Sequence, residues 1–471
     1  MSRSASQPRP RPAKKPSRPK QPAKTRAVYL SALEVENMRV FGRRQRLDFC
    51  DNDGRLSQWT FILAPNGGGK TTLLRAIVAA HTAVANREPL GYPGFQQLPI
   101  QDHFGRNSED EARTWITMSR RQFGLAERAQ SIDATVACMI AMNRRTVPWR
   151  EHDSNVMTIL DSDFDHKLAA ELFLLAYGAP RMVSASGARN SQGRDRTFET
   201  LFDEDATLRD PQNWLFETDI VERRKSGTGP RLAMIEKILA DILPDVDAVR
   251  IGFNKAGSPE AQFKTQDGWI PYHAMSHGYR TMMGWVIDFA SRMVQRYPDS
   301  KTPLAEPAVV LVDEIDLHLH PVWQRRLIAE LTRNFPRTQF IVTAHSPLVV
   351  QAAEKANLAV LRRDTHTGEM LIDNEPGNIS GWRVDQILTS DLFGIESARS
   401  PIQQDKIDRR VQLIRKSRLT PKEADELRQL NEAVLSMPVL ERKEDQDLLD
   451  LLKDTIASRR QPKAARAAGS K

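Results

Sequence analysis

The chain has 471 residues, 40% hydrophobic and 27% charged, a composition that suits a globular protein with enough length for one large or two to three average domains. No stretch approaches the ~20 uninterrupted apolar residues of a membrane helix, the basic start has no apolar segment behind it, and two cysteines, Cys50 and Cys138, make no disulfide framework. A membrane-spanning or disulfide-stapled secreted protein is excluded, and the expectation is a cytoplasmic one.

The net charge of +8 is unevenly placed. Residues 1–26 carry nine basic side chains and no acid, and residues 458–471 carry five more, again with no acid. Removing those fourteen from the 68 Lys and Arg leaves 54 against 60 Asp and Glu, a body charge of −6. Both tails are rich in Pro, Ala, Ser, Lys and Arg, with too little apolar surface to offset the entropy of ordering, so they are predicted to be disordered. They read either as electrostatic arms for nucleic acid or as solubilising tails.

In chain order, residues 27–35 alternate as a half-buried strand, and 60–63 form a second strand that runs into a glycine-rich turn and a helix over 70–84. Residues 86–269 mix helical patterns with polar stretches such as 184–195, which reads as a mobile loop, and are expected to form a helical insert lobe. Residues 308–312 and 339–343 are continuous apolar runs of the kind buried on both faces of a parallel sheet, and 321–334 between them is helical. Strand, helix, strand with short connections is a βαβ unit, so the fold class is α/β with a mixed or parallel sheet drawn from both ends of the sequence. A hairpin is expected around 364–368, then amphipathic helices, one opened by Thr420, Pro421 and Glu423 as a capping box. The predicted domains are tails at 1–26 and 458–471, a head over 27–399 with its core at 27–85 and 270–365, and a C-terminal helical region over 400–457.

Ala64, Pro65, Asn66, Gly67, Gly68, Gly69, Lys70, Thr71 and Thr72 form a phosphate-cradling loop between strand and helix, with alanine where a first glycine is usual. Glycines let backbone N–H groups approach phosphates, Lys70 reaches the outer phosphates, and the Thr71 hydroxyl suits Mg²⁺. Asp313 and Glu314 close the apolar strand 308–312. A carboxylate there is costly unless a charge needs it, so Asp313 is the candidate metal ligand and Glu314 the candidate general base. His345 ends the next strand and is expected at the same carboxyl edge, facing the γ-phosphate or the attacking water. His318 and His320, and the pairs Asp161/Asp163 and Asp245/Asp247, read as structural.

Together with the segment from Met275 through Ser276, Gly278 and Arg280, these motifs resemble the P-loop NTPases of the ABC type, in the branch that holds RecF, SMC-type heads and OLD-like ATPases. Residues 33–41, 313–324 and 340–347 carry the closer likeness, which covers 28–85 and 270–365. The resemblance implies ATP and Mg²⁺ as ligands and a homodimer closed head-to-tail on ATP. Ser276 and Gly278 would face the partner's nucleotide, and Arg39 would lie near the phosphates; His277 and Tyr279 depart from the usual signature. A Q-loop glutamine stays open among Gln96, Gln97, Gln101 and Gln122. Stand-alone proteins of this appearance occur in anti-phage systems such as Septu and certain retrons. The expected role is therefore an ATPase that gates an effector, a nuclease or toxin, or a DNA transaction. The alternatives are a RecF-like clamp on duplex DNA and a weakly hydrolysing scaffold that holds a toxic partner.

Overall fold

The computed structural model describes residues 27–85, 112–120, 133–140, 156–159, 168–183, 198–208, 210–226, 230–243, 245–377, 379, 381–395 and 397–435. The expectations for both tails, for 184–195, for the four Q-loop candidates and for Asp161/Asp163 lie outside these residues. The chain divides into two compact units, Met1–Gly394 and Ile395–Lys471.

The first unit begins with β1 (Tyr29–Glu36), β2 (Gln45–Asp48), β3 (Trp59–Leu63) and α1 (Lys70–Ala85). Its middle carries β4 (Ala112–Ser119), β5 (Asp133–Ile140), β6 (Val156–Ile159), β7 (Leu174–Tyr177), β8 (Met182–Val183), α2 (Glu199–Phe202) and β9 (Thr207–Leu208). There follow α3 (Pro211–Ser226), α4 (Pro230–Ile242), β10 (Ala248–Phe253), β11 (Pro259–Thr265), β12 (Gly268–Pro271) and α5 (His277–Arg296). The unit ends with β13 (Ala308–Val312), α6 (Pro321–Asn334), β14 (Thr338–Thr343), α7 (Pro347–Ala352), β15 (Asn357–Arg363), β16 (Met370–Asp373) and α8 (Val384–Leu388).

The central sheet has the order β16-β15-β3-β14-β13-β7, with every pair parallel except β15–β16. Its two faces follow from the period-2 alternation of side chains. On β13, Val310 and Val312 enter one core while Val309 and Leu311 enter the other; β14 divides likewise into Phe340 and Val342 against Ile341. The first core is closed by α4, α5 and α6 through Leu239, Trp285, Phe289 and Leu331. The second is closed by α1 and β1 through Leu73, Ile77, Leu33 and Val35, each worth about 1.5–3 kcal/mol of burial. Because both faces are covered, the strands are continuously apolar, which is why β13 and β14 are visible in the sequence.

Antiparallel strands ordered β2-β1-β4-β5-β6 form a second sheet over the α1 face. Where β1 shifts register between Leu30 and Ala32, the buried Gln339 side chain takes both Leu30 backbone groups, accepting N–H at 2.9 Å and donating to O at 2.8 Å. Beside the expected helices, the middle stretch therefore supplies strands that hydropathy did not separate: three for this sheet, β7 for the edge of the central one, and the β10-β11-β12 meander. The hairpin expected near 364–368 joins β15 to β16, its turn closed by Gly368 N–H on Asp364 O at 2.8 Å. Among the described residues no helix is long and apolar enough to cross a membrane.

The second unit contains α9 (Pro401–Ile414) and α10 (Pro421–Leu435). Arg409 grips Glu426 with two bonds of 2.8 and 3.0 Å, and Thr420 and Glu423 cap α10 reciprocally at 3.3 and 2.9 Å. The Lys416 ammonium beside Glu423 holds that carboxyl down at about 2.

A candidate nucleotide-binding edge

Strands β3, β14 and β13 are adjacent and parallel, so the loops that follow them leave the sheet at one carboxyl edge. The first loop is glycine-rich for a steric reason. Gly69 sits at φ +91°, and a Cβ there would lie 2.7 Å from Val40 Cγ2 and 2.8 Å from Phe41 Cε2. Val40 and Phe41 belong to the turn that carries the exposed Arg39, itself at φ +47°, so this turn is packed onto the loop.

Lys70 opens α1, is 7% exposed, and folds its ammonium back onto Ala64 O at 2.8 Å and Pro65 O at 3.4 Å. Burial lowers its pKa, opposed by the charges of Asp313, Glu314 and Asp316. The backbone N–H groups of Gly67, Gly69, Lys70 and Thr71 have no acceptor among the described residues, and the first turn of α1 holds no acidic side chain. Unsatisfied donors, a helix N-terminus and a buried ammonium fit a phosphate group.

Thr71 Oγ1 donates to Asp313 Oδ2 at 2.7 Å across 242 residues of sequence. The other carboxylate oxygen, Oδ1, accepts from Thr343 Oγ1 at 2.5 Å, and that same hydroxyl accepts the Glu314 N–H at 2.7 Å. Asp313 is 4% exposed, so both its oxygens are held in place. A buried carboxylate paired with a hydroxyl is a hard oxygen set that suits Mg²⁺, which takes one or two protein oxygens and completes its shell with phosphate and water. Among the described residues no group of three or more His, Cys, Asp or Glu is arranged to hold an ion by itself.

Glu314 stands at φ +48°, with a side chain about one third exposed. His345 Nε2 lies 3.7 Å from Glu314 Oε1, and the His345 N–H donates to both Asp316 oxygens at 3.1 Å. The edge thus brings together Asn66 to Thr72, Asp313, Glu314 and His345.

Ser276 is the exposed N-cap of α5 and makes no capping bond with its side chain. A Cβ at Gly278 would lie 2.5 Å from His318 O, so glycine is required where α5 meets the loop after β13. The His277 and His318 rings touch edge to face at 4.9 Å. His320 caps α6, its Nδ1 accepting Val322 N–H at 3.4 Å.

Three site residues had no role in the sequence reading. Thr343 and Asp316 lie inside the motifs, and their only signal was a polar side chain at the end of an apolar strand or turn. Arg181, which donates from Nη2 to Glu314 O at 2.7 Å, comes from 133 residues earlier and gave no signal.

A family model described as "AAA domain, putative AbiEii toxin, Type IV TA system" matches residues 60–351, from β3 into α7. Septu protein PtuA of Bacillus mycoides (strain KBAB4) is 22% identical over 368 residues, 78% of this chain and 45% of its own length. The Retron Ec83 probable ATPase of Escherichia coli is 42% identical over 88 residues, 19% of this chain and 16% of its own. The chain thus spans less than half the length of either relative. An SMC head domain from Thermotoga maritima matches at 15% identity and a TM-score of 0.39, over 73% of this chain and 98% of that one. The family match spans well over half of the chain and takes in both halves of the nucleotide edge, and the chain belongs to this AAA-domain ATPase family.

Proposed function

We propose that the chain is a Mg²⁺-dependent ATP hydrolase whose ATP-bound heads pair head-to-tail and gate an effector, or a DNA transaction, in anti-phage defence. The observation that carries the catalytic half is the 2.7 Å bond between Thr71 Oγ1 and Asp313 Oδ2, which joins the phosphate loop to the acidic strand end. In this reading the unsatisfied N–H groups of Gly67, Gly69, Lys70 and Thr71 hold the phosphates, and Lys70 turns from Ala64 O to the outer phosphates. Thr71 and Asp313 hold the metal. When bound, Mg²⁺ neutralises phosphate charge and orients the groups that react. Glu314 accepts the proton of the attacking water, and His345, 3.7 Å away, steadies that carboxylate or meets the γ-phosphate.

Arg39 adds positive charge above the loop, and Ser276 with Gly278 meets the partner's nucleotide at the N-terminus of α5. The head is the unit that ends at Gly394, a few residues before the expected 399, and the expected C-terminal helical region, 400–457, falls in the second unit. Kinship to Septu PtuA and the retron ATPases supports the defence role.

Light scattering coupled to size-exclusion chromatography tests the proposal. Lys70→Ala is expected to lose ATP binding, and Glu314→Gln to bind ATP, hydrolyse it at least about 10²-fold more slowly and double in mass with Mg-ATP. Hydrolysis by Glu314→Gln at the wild-type rate would overturn the assignment of the base, and a mass indifferent to ATP would overturn the gating dimer.

A further inference from the structure

Arg181 is 1% exposed and only half satisfied: Nη2 bonds Glu314 O at 2.7 Å, while Nε and Nη1 are buried with no hydrogen-bond partner among the described residues. It also stands in the left-handed region, at φ +35°. A buried guanidinium with two orphan nitrogens and a non-glycine residue at positive φ are both unfavourable, and an apolar side chain of similar volume would pack there without either cost. Such a combination persists where the arrangement itself has a use.

The surroundings say what the use is. β7 pairs in parallel with β13, the Asp313 N–H donates to Tyr177 O at 2.8 Å, and the chain then turns back over the end of β13. The turn is rigidly seated. Gly178 N–H donates to Thr200 Oγ1 at 3.1 Å, and a Cβ at Gly178 would lie 1.8 Å from Thr200 O, so the turn can only be this close to α2 with glycine there. From that seat Arg181 reaches the Glu314 carbonyl in the field of Asp313, Asp316 and Glu314. Burial lowers its pKa to about 10, which leaves it a cation at neutral pH.

Glu314 is itself left-handed, and both its peptide groups are hydrogen-bonded: the N–H by Thr343 Oγ1, the carbonyl by Arg181. With both ends held, the side chain has one direction to leave the backbone, which brings Oε1 to 3.7 Å from His345 Nε2. We propose that Arg181 is a positioning residue that locks the Glu314 peptide in this conformation and so aims its carboxylate at the nucleotide. It touches neither nucleotide nor metal; it acts through Glu314. The proposal rests on the hydrolase reading given above.

The test compares wild type, Arg181→Met and Arg181→Lys by steady-state ATP hydrolysis, by calorimetric titration with Mg-ATP, and by thermal melting. A misaimed base removes transition-state stabilisation and leaves ground-state binding intact. Arg181→Met is therefore expected to lower kcat about 10–10²-fold while the ATP Kd moves less than about threefold. Arg181→Lys, which keeps a donor and the charge without the planar fork, should recover part of that loss. A role in folding alone would lower melting temperature and active fraction, with kcat per folded molecule unchanged. An active Arg181→Met protein whose kcat lies within about twofold of wild type, or whose Kd weakens in step with kcat, would overturn the role of Arg181. If Arg181→Met does not fold, the same comparison on Arg181→Lys decides. Wild-type protein that binds Mg-ATP without turning it over would overturn the hydrolase reading and this proposal with it, an outcome distinct from variants that match an active wild type.

Discussion

Thr343→Val is a near-isosteric change that removes one hydroxyl from the centre of the edge. That hydroxyl is fully buried, donates to Asp313 Oδ1 at 2.5 Å and accepts the Glu314 N–H at 2.7 Å. Losing a bond to a buried carboxylate costs about 1.5–3 kcal/mol, and leaving a buried N–H without a partner costs about 1–3 kcal/mol more, so about 4 kcal/mol is expected in all. Valine suits a β-strand at least as well as threonine, so propensity offsets little of this. At about 2.1 cal/mol/K of unfolding entropy per residue, a unit that runs to Gly394 shifts its melting temperature by about 1.3 °C per kcal/mol, which puts the expected drop at about 5 °C. Thr343→Ser keeps both bonds and loses one buried methyl, a cost of about 1 kcal/mol. Thermal unfolding followed by circular dichroism on the three proteins measures the difference. A Thr343→Val protein that melts within about 1 °C of wild type, or a Thr343→Ser protein as destabilised as Thr343→Val, would refute the two-bond account.

Two further perturbations probe the scaffold. Gly178→Ala would place a Cβ 1.8 Å from Thr200 O, a backbone atom that cannot yield without moving α2; destabilisation of about 3 kcal/mol or more is expected, and a melting curve equal to wild type would refute the close approach. His81, fully buried on α1, has its pKa lowered by burial to about 4 from 6.5. Below the unfolded value the unfolded chain binds the proton first, so stability from this residue is intact above about pH 6.5 and declines as pH falls toward 4, by about 3 kcal/mol in total. His81→Leu should melt with a flatter pH dependence over that interval, and parallel curves for the two proteins would refute the assignment.

The phosphate loop, the acidic strand end and the histidine after β14 could be read from sequence because each rests on local chemistry. Continuous apolar strands mark a sheet covered on both faces, glycines mark a loop pressed by Val40 and Phe41, and a carboxylate at a strand end marks a charge to be met. The middle stretch was less legible. β4 alternates buried and exposed positions over Ala112–Ser119, yet it finds its partner in β1, about eighty residues earlier, and periodicity alone does not say which face will be covered. The β10-β11-β12 meander is short and only partly buried, so its hydropathy signal is weak.

The sequence by itself determined an α/β chain, the elements that bear Lys70, Thr71, Asp313, Glu314 and His345, and their arrival at one carboxyl edge, since βαβ handedness and strand direction leave no other. Only the tertiary structure decided how that edge is held. Thr343 ties Asp313 to the Glu314 peptide, His318 O demands glycine at 278, and Arg181 arrives from the connection after the neighbouring strand β7 to take the Glu314 carbonyl. These are contacts between residues far apart in the chain, set by register and packing, and a buried hydrogen bond has no signature in sequence until the two strands that make it are known to be neighbours.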